Sequence, residues 1–193
     1  MIAAMMFPSL CAPIEHVRSR VLARRRAGML AIFLAAYLAV WLIAGVPILA
    51  GALALRLVAP NATAAFCFAA GLALLWQASP LKQRCLNACH ARPAILAFGR
   101  AAGWSVARYG ASYGASCAGS CWNVMLLVSA ASAGHLPLML LAAAWVLAER
   151  LERPRAPRWR FAGIGKALRL GRDRFKAVSW GAASAPRRLL SKA

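Results

Sequence analysis

Residues 29–55, MLAIFLAAYLAVWLIAGVPILAGALAL, decide the architecture. No charged side chain falls between Arg26 and Arg56. About 20 consecutive apolar residues are enough for a helix to cross the hydrocarbon of a bilayer, so this stretch predicts one spanning helix with length to spare. The rest of the chain agrees: it is 62% hydrophobic and 15% charged, with a mean hydropathy of +0.62. A soluble domain is about 45–50% apolar and about 25% charged.

Outward from this stretch, a second uncharged run covers 57–81 and a third covers 109–148. The third is too long for one span, and Gly134, His135 and Pro137 mark a turn past its middle. The reading is an all-α polytopic bundle in residues 1–151, with four spans at about 29–55, 57–79, 109–130 and 134–150. Charge supports it. The chain has 24 Lys and Arg against four acids. With four spans, every basic residue except Arg56 falls on one side. This positive-inside asymmetry puts both ends of the bundle in the cytoplasm of a bacterial inner membrane. Basic residues confined to gaps between apolar runs fit a lipid partner and not nucleic acid.

The ends read differently. Residues 1–14 are apolar but too short to span, and they lack the cationic start of a signal peptide. They form either the end of a truncated helix or an interfacial segment. Residues 152–193 form a basic tail in which Phe161, Ile164, Leu168, Phe175 and Val178 recur at helical spacing among Lys166, Arg169, Arg172, Arg174 and Lys176. Such a helix lies on anionic lipid headgroups.

Six cysteines carry the candidate chemistry: Cys11, Cys67, Cys85, Cys89, Cys117 and Cys121. Residues four apart share a helix face, so Cys117, Cys121 and Met125 form one stripe in the third span. Thiolate and thioether suit soft metals such as Cu(I), with zinc as a second choice. By helical rise Cys117 and Cys121 lie roughly 12 and 18 Å in from Tyr109, a depth shared by Cys67 and Met139 on neighbouring spans. Cysteine also packs as a small hydrophobe, and the surrounding Gly, Ala and Ser residues suit close helix packing. Cys85 and Cys89, beside His90, fall in a basic stretch with Lys82, Arg84 and Arg92. That setting predicts lowered thiol pKa values and a labile metal or redox role. The C-x-x-x-C spacing is not that of thioredoxin-like exchange. His135 reads as a turn residue and His16 as a solvated one. The acids stand near span ends, so no carboxylate pair points to acid–base catalysis, and no nucleotide-binding or hydrolase motif is present.

Several blocks resemble a known family: Trp76-Gln-Ala-Ser-Pro-Leu-Lys82, Cys85-Leu86-x-x-Cys89, and Gly114-x-x-Cys117-x-Gly-Ser-Cys121-Trp122-x-x-Met125. Ala4-Met5-Met6-x-Pro8 and the segment from Leu136 to Arg150 fit as well. The resemblance, over about residues 1–171, is to the bacterial predicted metal-binding integral membrane proteins, domain of unknown function 2182. It implies a multi-helix membrane protein with a metal site at the cysteines. Two departures mark a shortened or degenerate member: Ser120 stands where a cysteine is usual, and the tail replaces a further apolar span.

Three readings follow. The first is a membrane protein handling a soft metal through Cys117, Cys121 and Met125, with Cys85 and Cys89 as a cytoplasmic entry pair. The second is a scaffold or assembly partner packing through its small residues. The third is a membrane thiol redox protein. Four spans are few for a lone transporter, so a homo-oligomer or another membrane partner is expected.

Overall fold

The computed structural model describes residues 2–96, 99–131, 134–151 and 154–159. These form six helices: α1 (Ile2–Arg20), α2 (Arg26–Val58), α3 (Ala62–Ala78), α4 (Pro80–Cys89), α5 (Gly99–Ala130) and α6 (His135–Arg150), with a short 3₁₀ turn at Ala23–Arg25. No strand occurs among the described residues.

The long axis of the fold is the pairing of α2 with α5. On α2, Met29, Phe33, Tyr37 and Trp41 are buried at every fourth position, and Ile48 and Ala52 continue that face. On α5, Gly110 and Gly114 receive it. A Cβ on Gly110 would strike the Phe33 carbonyl oxygen, and one on Gly114 would sit 3.2 Å from the Tyr37 carbonyl oxygen. Small residues at this spacing let two helix backbones touch. Phe33, Tyr37, Tyr109 and Tyr113 fill the space beside the contact, with ring centroids 5.4–6.4 Å apart.

The other face of α2 is apolar as well, yet exposed: Leu42, Ile43, Val46, Leu49, Leu53 and Leu57 all point away from the protein. By length and composition, Ala23–Val58 can cross a membrane. Among the described residues it is the one helix that does so alone; α3 and α4, bent by 67° at their junction, meet the same standard only as a pair. Of the four expected spans, one has a candidate helix by this standard, or two if the bent pair counts as one span. The reason lies in composition: α6 has 16 residues, and α5 mixes Gly, Ser, Tyr and Asn among its apolar residues.

Boundaries shift accordingly. The turn between the first two expected spans falls at 59–61, so residues 57 and 58 belong to α2. Asn61, within the Asn-Ala-Thr tripeptide, caps α3, its Oδ1 accepting from the Ala64 amide at 2.8 Å. α5 begins ten residues before the expected 109, and the N-terminal segment is part of a helix reaching Arg20. The Tyr113 hydroxyl donates to the Ser9 carbonyl at 2.7 Å, tying α1 to α5. Gly134 starts α6 in the left-handed region, φ 67°, where glycine costs least. Arg56 donates to the Ser129 and Ala131 carbonyls at 2.8 and 3.3 Å, satisfying the open end of α5. The basic helix expected in 160–193 lies outside the described residues; residues 154–158 are not helical.

Candidate metal centre

The site is made where α4 bends by 67° from α3 and stays packed on α5. Ser79 ends α3 and caps α4, its hydroxyl accepting from the Lys82 amide at 3.2 Å, and Pro80 opens the new helix. Pro suits a first helical turn, where its missing N–H has no partner to lose. The break re-aims the chain while α4, like α3, runs antiparallel along α5. Cys89 then comes opposite Cys117, close enough for each thiol to shift the ionisation of the other. One turn along, Cys85 meets Gly119, where an added Cβ would lie 2.8 Å from the Cys85 Sγ.

Cys117 is the hub. It is fully buried. The Tyr37 hydroxyl lies 3.6 Å from its sulfur. The Arg150 guanidinium donates to the same sulfur at 2.8 Å, and also to the Tyr113 hydroxyl at 3.3 Å and the Ser120 hydroxyl at 3.5 Å. Cys121 is buried one turn further along and donates to the Cys117 carbonyl at 3.0 Å. Met125 is buried beyond it. The predicted stripe on α5 is thus buried as a unit.

Beside it lies a second polar cluster. Lys82 Nζ and Glu149 Oε2 pair at 2.8 Å with both side chains 1% exposed. Gln77 bridges the two, donating to Glu149 and accepting from Lys82. Trp145 donates to Glu149 at 3.0 Å. Buried ions persist when paired and hydrogen-bonded on every side, and this pair is.

Several expectations change here. Lys82 and Arg150, read as cytoplasmic loop cations, turn inward. Cys85 and Cys89 stand on a helix packed against α5, not in a solvated basic loop. Their thiols are not activated. Burial raises the Cys85 pKa, and the contact with Cys117 followed by burial raises that of Cys89. The expected separation between an entry pair and an intramembrane set disappears, because Cys89 and Cys117 meet. Cys67 is exposed, so it cannot complete the site with Cys117; Cys11 is exposed too. Met139 is only partly buried. His90 links helices: one ring nitrogen contacts the Leu86 carbonyl at 2.9 Å and the other the Arg150 carbonyl at 3.1 Å. His135 contacts the Val128 carbonyl at 3.1 Å in the turn. His16, expected to be solvated, reaches the Pro93 carbonyl at 3.0 Å. Among the described residues, no three His, Cys, Asp or Glu side chains gather as a metal-binding group. What converges is a pair of thiols with an arginine.

The sequence reading missed Arg150, Gln77 and the Lys82–Glu149 pair. Their signal was present in the Trp-Gln-x-Ser-Pro-Leu-Lys and Ala-Glu-Arg blocks, which place polar groups at the ends of uncharged runs. Ionisable residues at the edge of apolar helices commonly face the bundle interior.

An all-helical chain that holds facing thiols in its interior has the donor chemistry of a protein that handles soft metals. The family comparison makes that specific: the model of the PpoB2 family, described as copper chaperone, matches residues 1–170, and the chain belongs to this family. No curated protein and no solved structure matches it. The match corrects the resemblance drawn to the domain of unknown function 2182, because the matching family is the copper chaperone one. The expectation of metal handling survives, and copper is the metal it concerns.

Proposed function

We propose that the protein is a multi-pass membrane copper chaperone that takes up Cu(I) as cargo between the Cys89 and Cys117 sulfurs. The observation that carries this reading is that packing of α4 on α5 brings Cys89 beside the buried Cys117, near enough for the two thiols to affect each other's ionisation. Soft thiolates select Cu(I), and a two-sulfur site suits an ion that accepts two ligands. Zinc sites almost always use four ligands, which the described residues do not gather. Cys121 and Met125, further along the α5 stripe, are the next soft donors, and Cys85 borders the pair. Cargo must leave again, and a site of few ligands releases its ion readily to a stronger set.

The membrane part of the proposal rests on the exposed apolar flank of α2 together with Phe68, Leu74 and Leu75 on α3 and Leu140 and Leu141 on α6. Exposed apolar patches of this extent mark contact with lipid or protein. Four crossings, at α2, α3, α5 and α6, keep Arg56 and Gly134 on one side and the basic segments in the cytoplasm. The 152–193 tail would rest on anionic headgroups. The scaffold reading loses ground, since Gly110 and Gly114 are already covered by α2 of the same chain. The redox reading expected activated thiols at Cys85 and Cys89, and it loses ground because both pKa values are raised.

The test is copper content of the detergent-purified protein after anaerobic loading with Cu(I). The Cys89→Ser and Cys117→Ser variants should each lose most of the bound copper, while Cys67→Ser retains it. Equal copper in all four proteins would remove the site.

A further inference from the structure

The partners of Arg150 are unusual. A buried arginine normally meets a carboxylate. Glu149, its neighbour in sequence, is committed to Lys82. The Arg150 guanidinium instead contacts two hydroxyls and the Cys117 sulfur, and its buried Nε has no hydrogen-bond partner. Among the described residues no carboxylate pairs with it. A guanidinium keeps its charge in any protein environment, so this corner of the interior holds one positive charge that no carboxylate among the described residues balances.

We infer that Arg150 is a specificity-determining residue, a fixed countercation that selects a monovalent ion over a divalent one at the Cys89–Cys117 pair. This rests on the copper-site reading above. Metal ligation requires both sulfurs as thiolates. Two thiolates and one guanidinium carry a net charge of minus one. A bound Cu(I) cancels it and leaves the site neutral. Zn(II) or Cd(II) at the same place leaves one uncompensated positive charge away from water, which is costly. The Lys82–Glu149 pair is neutral as a unit, and Tyr37, Tyr113 and Ser120 add no charge, so the balance is Arg150's to set.

Competition titrations on the full-length protein in detergent, under reducing anaerobic conditions, test this with Cu(I) and Zn(II) against chromophoric chelators. Arg150→Gln should lower the Cu(I)-over-Zn(II) preference at least tenfold, whereas Arg150→Lys keeps it within a few-fold. An unchanged preference in Arg150→Gln overturns the inference. So does an equal shift in Arg150→Lys, which would assign the effect to hydrogen-bond geometry and not to charge. A measurement on the unaltered protein covers the case in which Arg150→Gln does not fold. Ag(I), monovalent, should bind at least a hundredfold more tightly than Cd(II), a thiophilic divalent ion; equal affinities overturn the inference. If the unaltered protein takes up neither Cu(I) nor Ag(I), it is the copper-site reading that fails, and the inference falls with it.

Discussion

The Nζ of Lys82 and the Oε2 of Glu149 meet at 2.8 Å in the interior, joining the start of α4 to the end of α6. Breaking a buried pair strands the partner's charge, at a cost of about 3–5 kcal/mol. Lys82→Met or Glu149→Gln alone should therefore lower the melting temperature in detergent sharply. The double variant Lys82→Met/Glu149→Leu should recover much of the loss, because no orphan charge remains. Additive losses would show that the pair is not isolated from water as the geometry requires.

Gly110 sets how closely α2 and α5 approach. Gly110→Ala puts a methyl group against the Phe33 carbonyl, a backbone atom that cannot rotate away. Overpacking of this kind costs about 1–3 kcal/mol. Gly71→Ala, with open space around its Cβ position, serves as the control and should be neutral or slightly stabilising. Comparable melting of the two variants would contradict the described helix contact.

Arg56 closes the C-terminal end of α5 through two carbonyls. Arg56→Ala should destabilise by about 1 kcal/mol. Hydrogen exchange should report it locally, as faster exchange in the last turn of α5 with little change at Cys117. Uniform acceleration along α5 would contradict a local cap.

Burial of Cys85 makes its reactivity depend on pH in a defined direction. The thiolate is the nucleophile, and burial raises the pKa above its ordinary value near 9. At pH 7.5 maleimide should modify Cys85 more slowly in the native protein than after denaturation in SDS. The native rate should climb as pH rises past 9. A native rate equal to the denatured one at pH 7.5 would revive the activated-thiol reading.

The proposed topology has its own test. Single-cysteine labels at Asn61 and His135 should react with an impermeant reagent in intact cells, and a label at Ala91 should not. Labelling of Ala91 from outside would reverse the orientation or remove the four-crossing arrangement.

Much of the fold was legible from composition. The run from Met29 to Leu55 could only be a long apolar helix, and the turn at Gly134 followed from its position past the middle of an uncharged stretch. The Cys117, Cys121 and Met125 stripe was legible too, because spacing of four residues fixes a shared face whatever lies opposite. What the linear chain could not show was the opposite partner. Cys85 and Cys89 read as a solvated basic loop, whereas the bend at Ser79 and Pro80 starts a new helix, α4, packed on α5.

Sequence alone determined the helical class and which residues share a face, since both depend on local spacing and on the cost of exposing apolar side chains to water. Tertiary structure alone decided that Cys89 meets Cys117, that Arg150 faces a sulfur and that Lys82 finds Glu149. These are contacts between residues 28 to 67 positions apart, set by a 67° bend and by the close approach that glycine allows. Charge signs in a sequence are the same for a loop and an interior; only packing distinguishes a cation that meets water from one that meets a thiol.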